Sequence, residues 1–156
     1  MIRKARLDDV PAIHRLINEY AEQGQMLFRT PAELYEHLRD FYVCESDGQI
    51  TGCCALEIMW RDLAEIKSLS VGPGHQTQGI GRQLVEAAVA EAVELGLRQV
   101  FALTRSQGFF ERLGFRAVDR NSLPHKIWDD CLRCPRRDNC DEVAVARTVG
   151  ESSDPA

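Results

Sequence analysis

A loop with two glycines separates a run of alternating apolar residues from a sequence with helical periodicity. It reads HQTQGIGR over residues 75–82, with Gly79 and Gly81 at the expected start of a helix. The first backbone amides of a helix have no partner inside it and carry positive potential, so they attract anions. Glycine leaves room for a phosphate to reach these amides, and it adopts loop dihedrals closed to other residues. The sequence therefore predicts an anion-binding loop at residues 76–82.

The composition requires any anionic ligand to be held locally. The chain has 156 residues, is 44% hydrophobic, and carries 19 Lys and Arg against 24 Asp and Glu, for a formal charge of -5. Such a charge does not draw a protein onto nucleic acid or an anionic membrane. The amino terminus lacks the uninterrupted apolar region of a secretory signal, and no apolar run approaches membrane-spanning length. We expect a cytoplasmic protein acting on a small molecule, with one domain at 1–149 and a flexible tail at 150–156; a homodimer is compatible with these expectations.

Strands and helices are expected to alternate on both sides of the loop. Capping residues predict helices that begin near Asp8 and at Thr30, and an Asp-Gly turn at residues 47–48 predicts a hairpin. Gly96 and Gly114 are expected to end helices as left-handed caps. The expected strands cover residues 2–7, 41–45, 50–60, 64–71, 98–104, 115–118 and 141–147.

The succession of strand, glycine loop and helix resembles the GNAT acyl-CoA N-acetyltransferases. Residues 76–81 match their Q/R-x-x-G-x-G/A loop, which in that family binds the coenzyme A diphosphate through backbone amides, and FFERLGF at 109–115 is similar to their element near the acetyl thioester. The alternative is an ordinary strand-to-helix turn with glycine caps. The resemblance implies an α/β (α+β) fold with a mixed, mostly antiparallel central sheet flanked by helices, and acetyl-CoA as cosubstrate. The residues that it places at the cofactor are Leu69, Ser70, Val71, Gln76, Thr77, Gln78, Gly79, Ile80, Gly81, Arg82, Ser106, Phe109 and Phe110.

Two further stretches narrow the resemblance. Residues 123–142 and the arginine-bearing segment 26–43 are similar to short, single-domain N-acetylglutamate synthases. This similarity implies acetyl transfer to the α-amino group of L-glutamate or L-glutamine, the first step of arginine biosynthesis. Arg29 lies just before an expected helix start, so the guanidinium and the helix terminus would both attract a carboxylate. The candidate cations for the acceptor carboxylates are Arg29, Lys67, Arg105 and Lys126, and the sequence does not decide which cation meets which carboxylate.

Glu65 is the candidate general base. An amino group with a pKa of about 8 or higher is mostly protonated at neutral pH, so a base assists the reaction. The strand period of two puts Glu65 and Lys67 on one face with Leu69 and Val71, and the resemblance places a glutamate here that acts through water. The alternative is an exposed ion pair between Glu65 and Lys67. Phe110 stands where many family members carry a tyrosine as general acid, so that role falls to water or is not needed.

The six cysteines are expected to be mostly reduced thiols. Two of the three cysteines in the segment 131–140, Cys131 and Cys134, have the spacing of a zinc knuckle, and Cys140 follows them. A closed zinc site takes four ligands, so no metal is expected. Cys53 and Cys54 are neighbours on a strand and point to opposite faces, which disfavours a disulfide between them. Two other functions remain open: a GNAT enzyme for another small amine or a protein amino terminus, and a non-catalytic acyl-CoA or metal sensor.

Overall fold

The structure is a computed structural model that describes residues 1–76, 78–123 and 142–150. The strands are β1 (Ile2–Lys4), β2 (Phe41–Ser46), β3 (Gln49–Trp60), β4 (Leu63–Val71), β5 (Gln99–Thr104), β6 (Arg116–Ala117) and β7 (Val143–Thr148). The helices are α1 (Val10–Glu22), α2 (Pro31–Glu36), α3 (Ile80–Glu94) and α4 (Gln107–Glu111). None of the described helices combines the length and the apolar composition needed to cross a membrane.

The strands form the expected mixed sheet, in the order β1-β2-β3-β4-β5-β7-β6. Strands β1, β2 and β3 include antiparallel pairs, and β7 runs antiparallel to both β5 and β6. Strands β4 and β5 are parallel, with residues 63–65 paired to residues 99–101. Parallel strands need a long crossover, and α3 with its preceding loop supplies it. The helices flank this sheet, which confirms the expected fold class.

The chain divides into two compact units, and the first comprises Met1–Leu56 and Ile66–Ala88. Its core contains the apolar face of α1, where the helical spacing places Ile13 and Ile17 on one side. These side chains cluster with Val43 of β2, and all three are at most 1% exposed. Burying each of them contributes about 1.5–3 kcal/mol, so α1 is anchored firmly against β2.

The second unit comprises Glu57–Glu65 and Val89–Ala156. Its core is built mainly from strands. The central residues Val100–Ala102 of β5 and Ala144–Ala146 of β7 are buried in unbroken runs, so both faces of these strands are covered. The buried residues of this core are Met59, Leu63, Phe101, Leu123, Ala144 and Ala146.

Turn and cap chemistry predicted several element ends correctly. The hairpin turn between β2 and β3 has left-handed backbone at both Asp47 and Gly48, with φ of 52° and 76°, as a type I′ turn requires. Thr30 caps α2, since its Oγ1 accepts from the Glu33 amide at 3.1 Å. The left-handed caps predicted at residues 96 and 114 are confirmed, with φ of 81° and 88°.

The first strand is shorter than predicted, because a buried ion pair turns the chain. The strand ends at Lys4, and a 3₁₀ turn at Leu7–Asp9 precedes α1. The Asp9 carboxylate accepts from the Arg6 amide at 2.7 Å, and it also receives two hydrogen bonds from Arg3 at 2.7 and 3.1 Å. These bonds pull residues 6–9 into a turn that a periodicity argument cannot detect.

Candidate functional site

Helix α3 begins with amides that have no acceptor inside the helix, as the loop prediction requires. The Gln83 amide makes the first helical hydrogen bond, to the Gly79 carbonyl at 3.1 Å. The amides of residues 80–82 therefore have no acceptor within the helix. Among the described residues of this first turn none is acidic, so nothing there offsets the positive end of the helix dipole.

A glycine in β3 lets α3 lie close to the strands. A Cβ built on Gly52 would meet Ile80 Cγ2 at 2.9 Å, Leu84 Cδ1 at 3.1 Å and the Ser70 carbonyl at 3.2 Å. Ile80 and Leu84 are at most 5% exposed, so neither can yield easily. The position of the helix amino terminus therefore depends on the missing side chain at residue 52.

The two glycines of the loop have different roles. Gly79 precedes α3 with φ of 76°, and a Cβ there would meet no atom within 4 Å. The backbone therefore favours glycine, and the open space is where an anion could approach. Gly81 lies inside α3 and is not in the left-handed region. The sequence argument that glycine is needed for its dihedrals is therefore wrong for Gly81. The other argument, that glycine leaves room for a phosphate to approach the amides, still applies to it.

A tyrosine of α1 connects this helix to the loop. The Tyr20 hydroxyl donates to the Val71 carbonyl at 2.6 Å and accepts from Gln76 Nε2 at 2.8 Å. Gln76 Nε2 also lies 3.5 Å from the Val71 carbonyl. These contacts join α1, the end of β4 and the loop. The apolar period of α1 gave no signal for them, because it cannot show where a hydroxyl points.

The backbone of strand β4 leaves the extended conformation at Ser68. This residue has φ of 58°, a left-handed conformation that is uncommon for a residue other than glycine. Its carbonyl lies 3.4 Å from Ser70 Oγ and 3.6 Å from Cys53 Sγ. A left-handed residue departs from the regular strand period, and the face of Leu69 and Val71 stays a prediction. Leu69 and Val71 are half-buried, whereas Ser70 is 1% exposed.

Glu65 is buried, and this burial decides between the two interpretations of the residue. It is 6% exposed and pairs with Phe101 in the parallel ladder. Lys67, two residues later on β4, is half-buried. The alternative of an exposed surface ion pair at this position is therefore wrong for Glu65. A buried carboxylate needs polar partners, and such a group is a candidate for proton transfer.

The backbone of Arg29 is fixed to α1 by one side chain. Asn18 Oδ1 accepts from the Arg29 amide at 3.2 Å, and Asn18 Nδ2 donates to the Arg29 carbonyl at 3.3 Å. The Arg29 side chain is only 15% exposed, and its guanidinium lies 3.7 Å from the Glu33 carboxylate. The amino terminus of α2 is already capped by Thr30, and Glu33 adds negative charge there. The amino terminus of α2 therefore does not attract a substrate carboxylate as expected. Of the two groups predicted to attract it, only the Arg29 guanidinium still fits that role.

The second unit holds the remaining described candidates. Arg105 and Ser106 are exposed at the end of β5, where the Ser106 amide donates to Thr104 Oγ1 at 2.8 Å. Phe110 is 4% exposed and packs edge-on against Phe109 and Phe115, with ring centroids 5.1 Å apart in both pairs. Phe110 thus has a packing role, and a hydrocarbon ring there donates no proton.

Several candidates lie outside the described residues: Thr77, Lys126, Cys131, Cys134 and Cys140. Within the described ranges no group of three His, Cys, Asp or Glu residues could hold a metal ion. Cys53 and Cys54 have reduced thiols, as predicted. Their Sγ atoms lie 3.6 Å from different carbonyls, that of Ser68 and that of Leu84.

The chain belongs to the GNAT acetyltransferase family. The sequence profile described as "Acetyltransferase (GNAT) family" matches residues 9–115. The chain is therefore an acetyltransferase that uses acetyl-CoA. The open space at Gly79 and the unused amides of α3 suit the diphosphate of that cosubstrate, because backbone amides at a helix terminus bind phosphates well.

Three relatives show where in the family the chain falls. It is 45% identical over 148 residues to an uncharacterized N-acetyltransferase of Chlorobaculum tepidum, covering 95% of this chain and 96% of the relative. It is 36% identical over 137 residues to an amino-acid acetyltransferase of Mycobacterium tuberculosis, covering 85% and 78%. N-acetylglutamate synthase of Neisseria gonorrhoeae, solved with coenzyme A and N-acetyl-glutamate, has a TM-score of 0.87 at 30% identity, covering 97% of this chain and 35% of the synthase. The chain is thus related to amino-acid acetyltransferases.

Proposed function

We propose that this acetyltransferase acetylates the α-amino group of L-glutamate or L-glutamine, the first step of arginine biosynthesis. The observation that carries the proposal is the similarity, over 97% of this chain, to a synthase solved with N-acetyl-glutamate. The 36% identity to an amino-acid acetyltransferase supports the same class of acceptor. An amino acid acceptor needs a cation for each carboxylate, and this chain has candidates for that role.

Arg29 is the first of these cations. Its side chain is mostly shielded from water, and its backbone is fixed by Asn18. Shielding strengthens an ion pair, and a fixed backbone limits the conformations that binding must select. The Glu33 carboxylate at 3.7 Å from Arg29 is near enough to orient the guanidinium before substrate arrives. Lys67, Arg105 and Lys126 remain candidates for the second carboxylate of glutamate.

Glu65 is the proposed general base. Acetyl-CoA supplies the acetyl group as a thioester, whose thiolate leaving group has a pKa of about 8.5. Glu65 takes the amine proton through a water molecule, which leaves the amine neutral for attack on the thioester carbonyl. No side chain of the enzyme becomes acylated in this scheme. Phe110 cannot protonate the thiolate, so the second proton that the nitrogen loses on forming the amide passes through water to the thiolate.

An acceptor panel tests the proposal. The enzyme is incubated with acetyl-CoA and L-glutamate, L-glutamine, L-aspartate, polyamines or a peptide amino terminus, and thiol release and product mass are measured. We expect turnover with glutamate or glutamine. If coenzyme A raises the melting temperature but neither amino acid releases thiol, the proposed acceptor is wrong and the family assignment is unaffected.

A second panel identifies the carboxylate that Arg29 binds. Arg29→Gln is compared with the unchanged enzyme on L-glutamate, L-glutamine and the α-amide of glutamate. If Arg29 binds the α-carboxylate, the substitution raises KM for the first two acceptors alike, by about 10-fold to 100-fold for a charge-assisted bond. If it binds the side-chain carboxylate, KM for L-glutamine is unchanged. If Arg29→Gln and the unchanged enzyme have the same kinetics on all three acceptors, Arg29 does not bind the substrate.

A further inference from the structure

Three polar groups of the first unit meet where the loop leaves β4. They are the Tyr20 hydroxyl, the Val71 carbonyl and the Gln76 side-chain amide, with contacts of 2.6 Å from Tyr20 to Val71 and 2.8 Å from Gln76 to Tyr20. A phenol has one hydrogen to donate and lone pairs to accept with, and Tyr20 uses both. The backbone of Tyr20 is also fixed, because its carbonyl accepts from the amides of Gln23 and Gln25 at 3.1 and 3.0 Å.

The loop beyond Val71 depends on such contacts because it has little burial. Residues 73, 74, 76, 78 and 79 are exposed. The Gly72 amide donates to the Thr51 carbonyl at 2.8 Å, and the amides of His75 and Gln78 bond within the loop. The Gln76 side chain adds a bond from the loop to α1. An exposed segment with few anchors must lose conformational freedom when it binds a ligand, and an existing anchor reduces that cost.

We propose that Tyr20 is a positioning residue for acetyl-CoA. Its hydroxyl holds Gln76, and through it the loop, in the conformation that directs the amides of α3 at the diphosphate. Gln76 thus contributes to cofactor binding through the hydrogen bond from its side chain to Tyr20 of α1. The inference rests on the assignment of residues 76–82 to the diphosphate, and it is independent of which amine the enzyme acetylates.

The test removes one oxygen atom. Tyr20→Phe keeps the ring and abolishes both hydrogen bonds, and Tyr35→Phe on α2, at a residue that is 50% exposed, is the matched control. Calorimetry with coenzyme A gives Kd without any acceptor. We expect Tyr20→Phe to raise Kd about 3-fold to 10-fold, the scale of one or two neutral hydrogen bonds, while Tyr35→Phe leaves Kd unchanged. Gln76→Ala, in the exposed loop, should raise Kd by a similar factor even if Tyr20→Phe folds poorly.

Two further measurements separate positioning from general weakening of the fold. In the double variant the two factors should not multiply, because each substitution alone already breaks the bond between Tyr20 and Gln76. With S-acetylpantetheine, which lacks the diphosphate, kcat/KM should be the same for Tyr20→Phe and the unchanged enzyme. Factors that multiply, or an equal loss with both acetyl donors, would overturn the proposal.

The same measurements distinguish an error in the role of Tyr20 from an error in the assignment of the diphosphate site. If Gly79→Ala weakens coenzyme A binding and Tyr20→Phe does not, the positioning role is wrong and the site stands. If neither variant changes Kd, the diphosphate assignment is wrong and the inference fails with it.

Discussion

Replacing Gly79 by alanine tests whether the open space before α3 is a binding site. Gly79 has φ of 76°, and an added Cβ would meet no atom within 4 Å. The substitution therefore causes no collision in the unliganded protein. Its cost is the left-handed backbone, about 1–2 kcal/mol for an L-residue, offset by about 0.4–1 kcal/mol because alanine restricts the unfolded chain. We expect a melting temperature lower by about 2–4 °C.

The effect on acetyl-CoA should be larger than the effect on stability. A methyl group at residue 79 occupies the space through which a phosphate reaches the amides of α3. Losing one charge-assisted hydrogen bond weakens binding by about 1.5–3 kcal/mol, which is roughly 10-fold to 150-fold in Kd. Calorimetry with coenzyme A measures this change directly.

Gly96→Ala is a control matched in backbone and space. Gly96 has φ of 81°, and its added Cβ would likewise meet nothing within 4 Å, but it follows the opposite end of α3. Both variants should lose the same stability, and only Gly79→Ala should lose affinity. If the two variants bind coenzyme A within about 2-fold of each other, a difference far below the value of one charged hydrogen bond, the loop does not hold the diphosphate.

Three other predictions concern the base, a buried ion pair and a thiol. Glu65→Gln should lower kcat by about 10²-fold to 10⁴-fold, the usual contribution of a general base, and should remove one limb of the pH profile; unchanged rates would exclude the role. Asp9→Asn should destabilise the protein at pH 7 by about 1.5–3 kcal/mol, the scale of a charge-assisted hydrogen bond, because it removes the carboxylate that pairs with Arg3 at 2.7 Å while Glu45 still pairs with Arg3 at 3.0 Å. The hydrogen bond from Arg3 lowers the pKa of Asp9 below its ordinary 3.8, so stability from the carboxylate is present above pH 3.8 and lost as the pH falls below it. Urea unfolding should therefore show the two proteins converging in acid, and a constant difference would contradict this origin. Burial raises the pKa of Cys53 to about 12, so iodoacetamide at pH 8 should label it only after unfolding, and rapid labelling of the native protein would contradict its burial.

Local chemistry made part of this structure predictable. The Asp-Gly hairpin, the Thr30 capping box and the glycine caps each depend on residues within a few positions of one another. The same holds for the glycine loop, because a helix start and its unused amides follow from a short stretch of chain. Such features appear in a single sequence whatever the rest of the fold does.

The parts that could not be predicted depend on contacts between distant residues. Tyr20 lies 51 positions from Val71 and 56 from Gln76, and a helical period records only that its ring is apolar. Asn18 clamps Arg29 across 11 positions. Neither Tyr20 nor Asn18 belongs to a sequence motif. Their partners are backbone groups and one side-chain amide, and such groups occur in every sequence.

Ser68 shows why an interrupted strand has to be seen in three dimensions. A residue other than glycine in the left-handed region costs about 1–2 kcal/mol, and such a conformation persists only where its surroundings determine it. At Ser68 the surroundings include the Ser70 hydroxyl and the Cys53 thiol, both near its carbonyl. A regular strand would direct Glu65, Lys67 and Leu69 to one face. The left-handed residue stands between Lys67 and Leu69, so the period of two alone does not fix the side on which Leu69 lies.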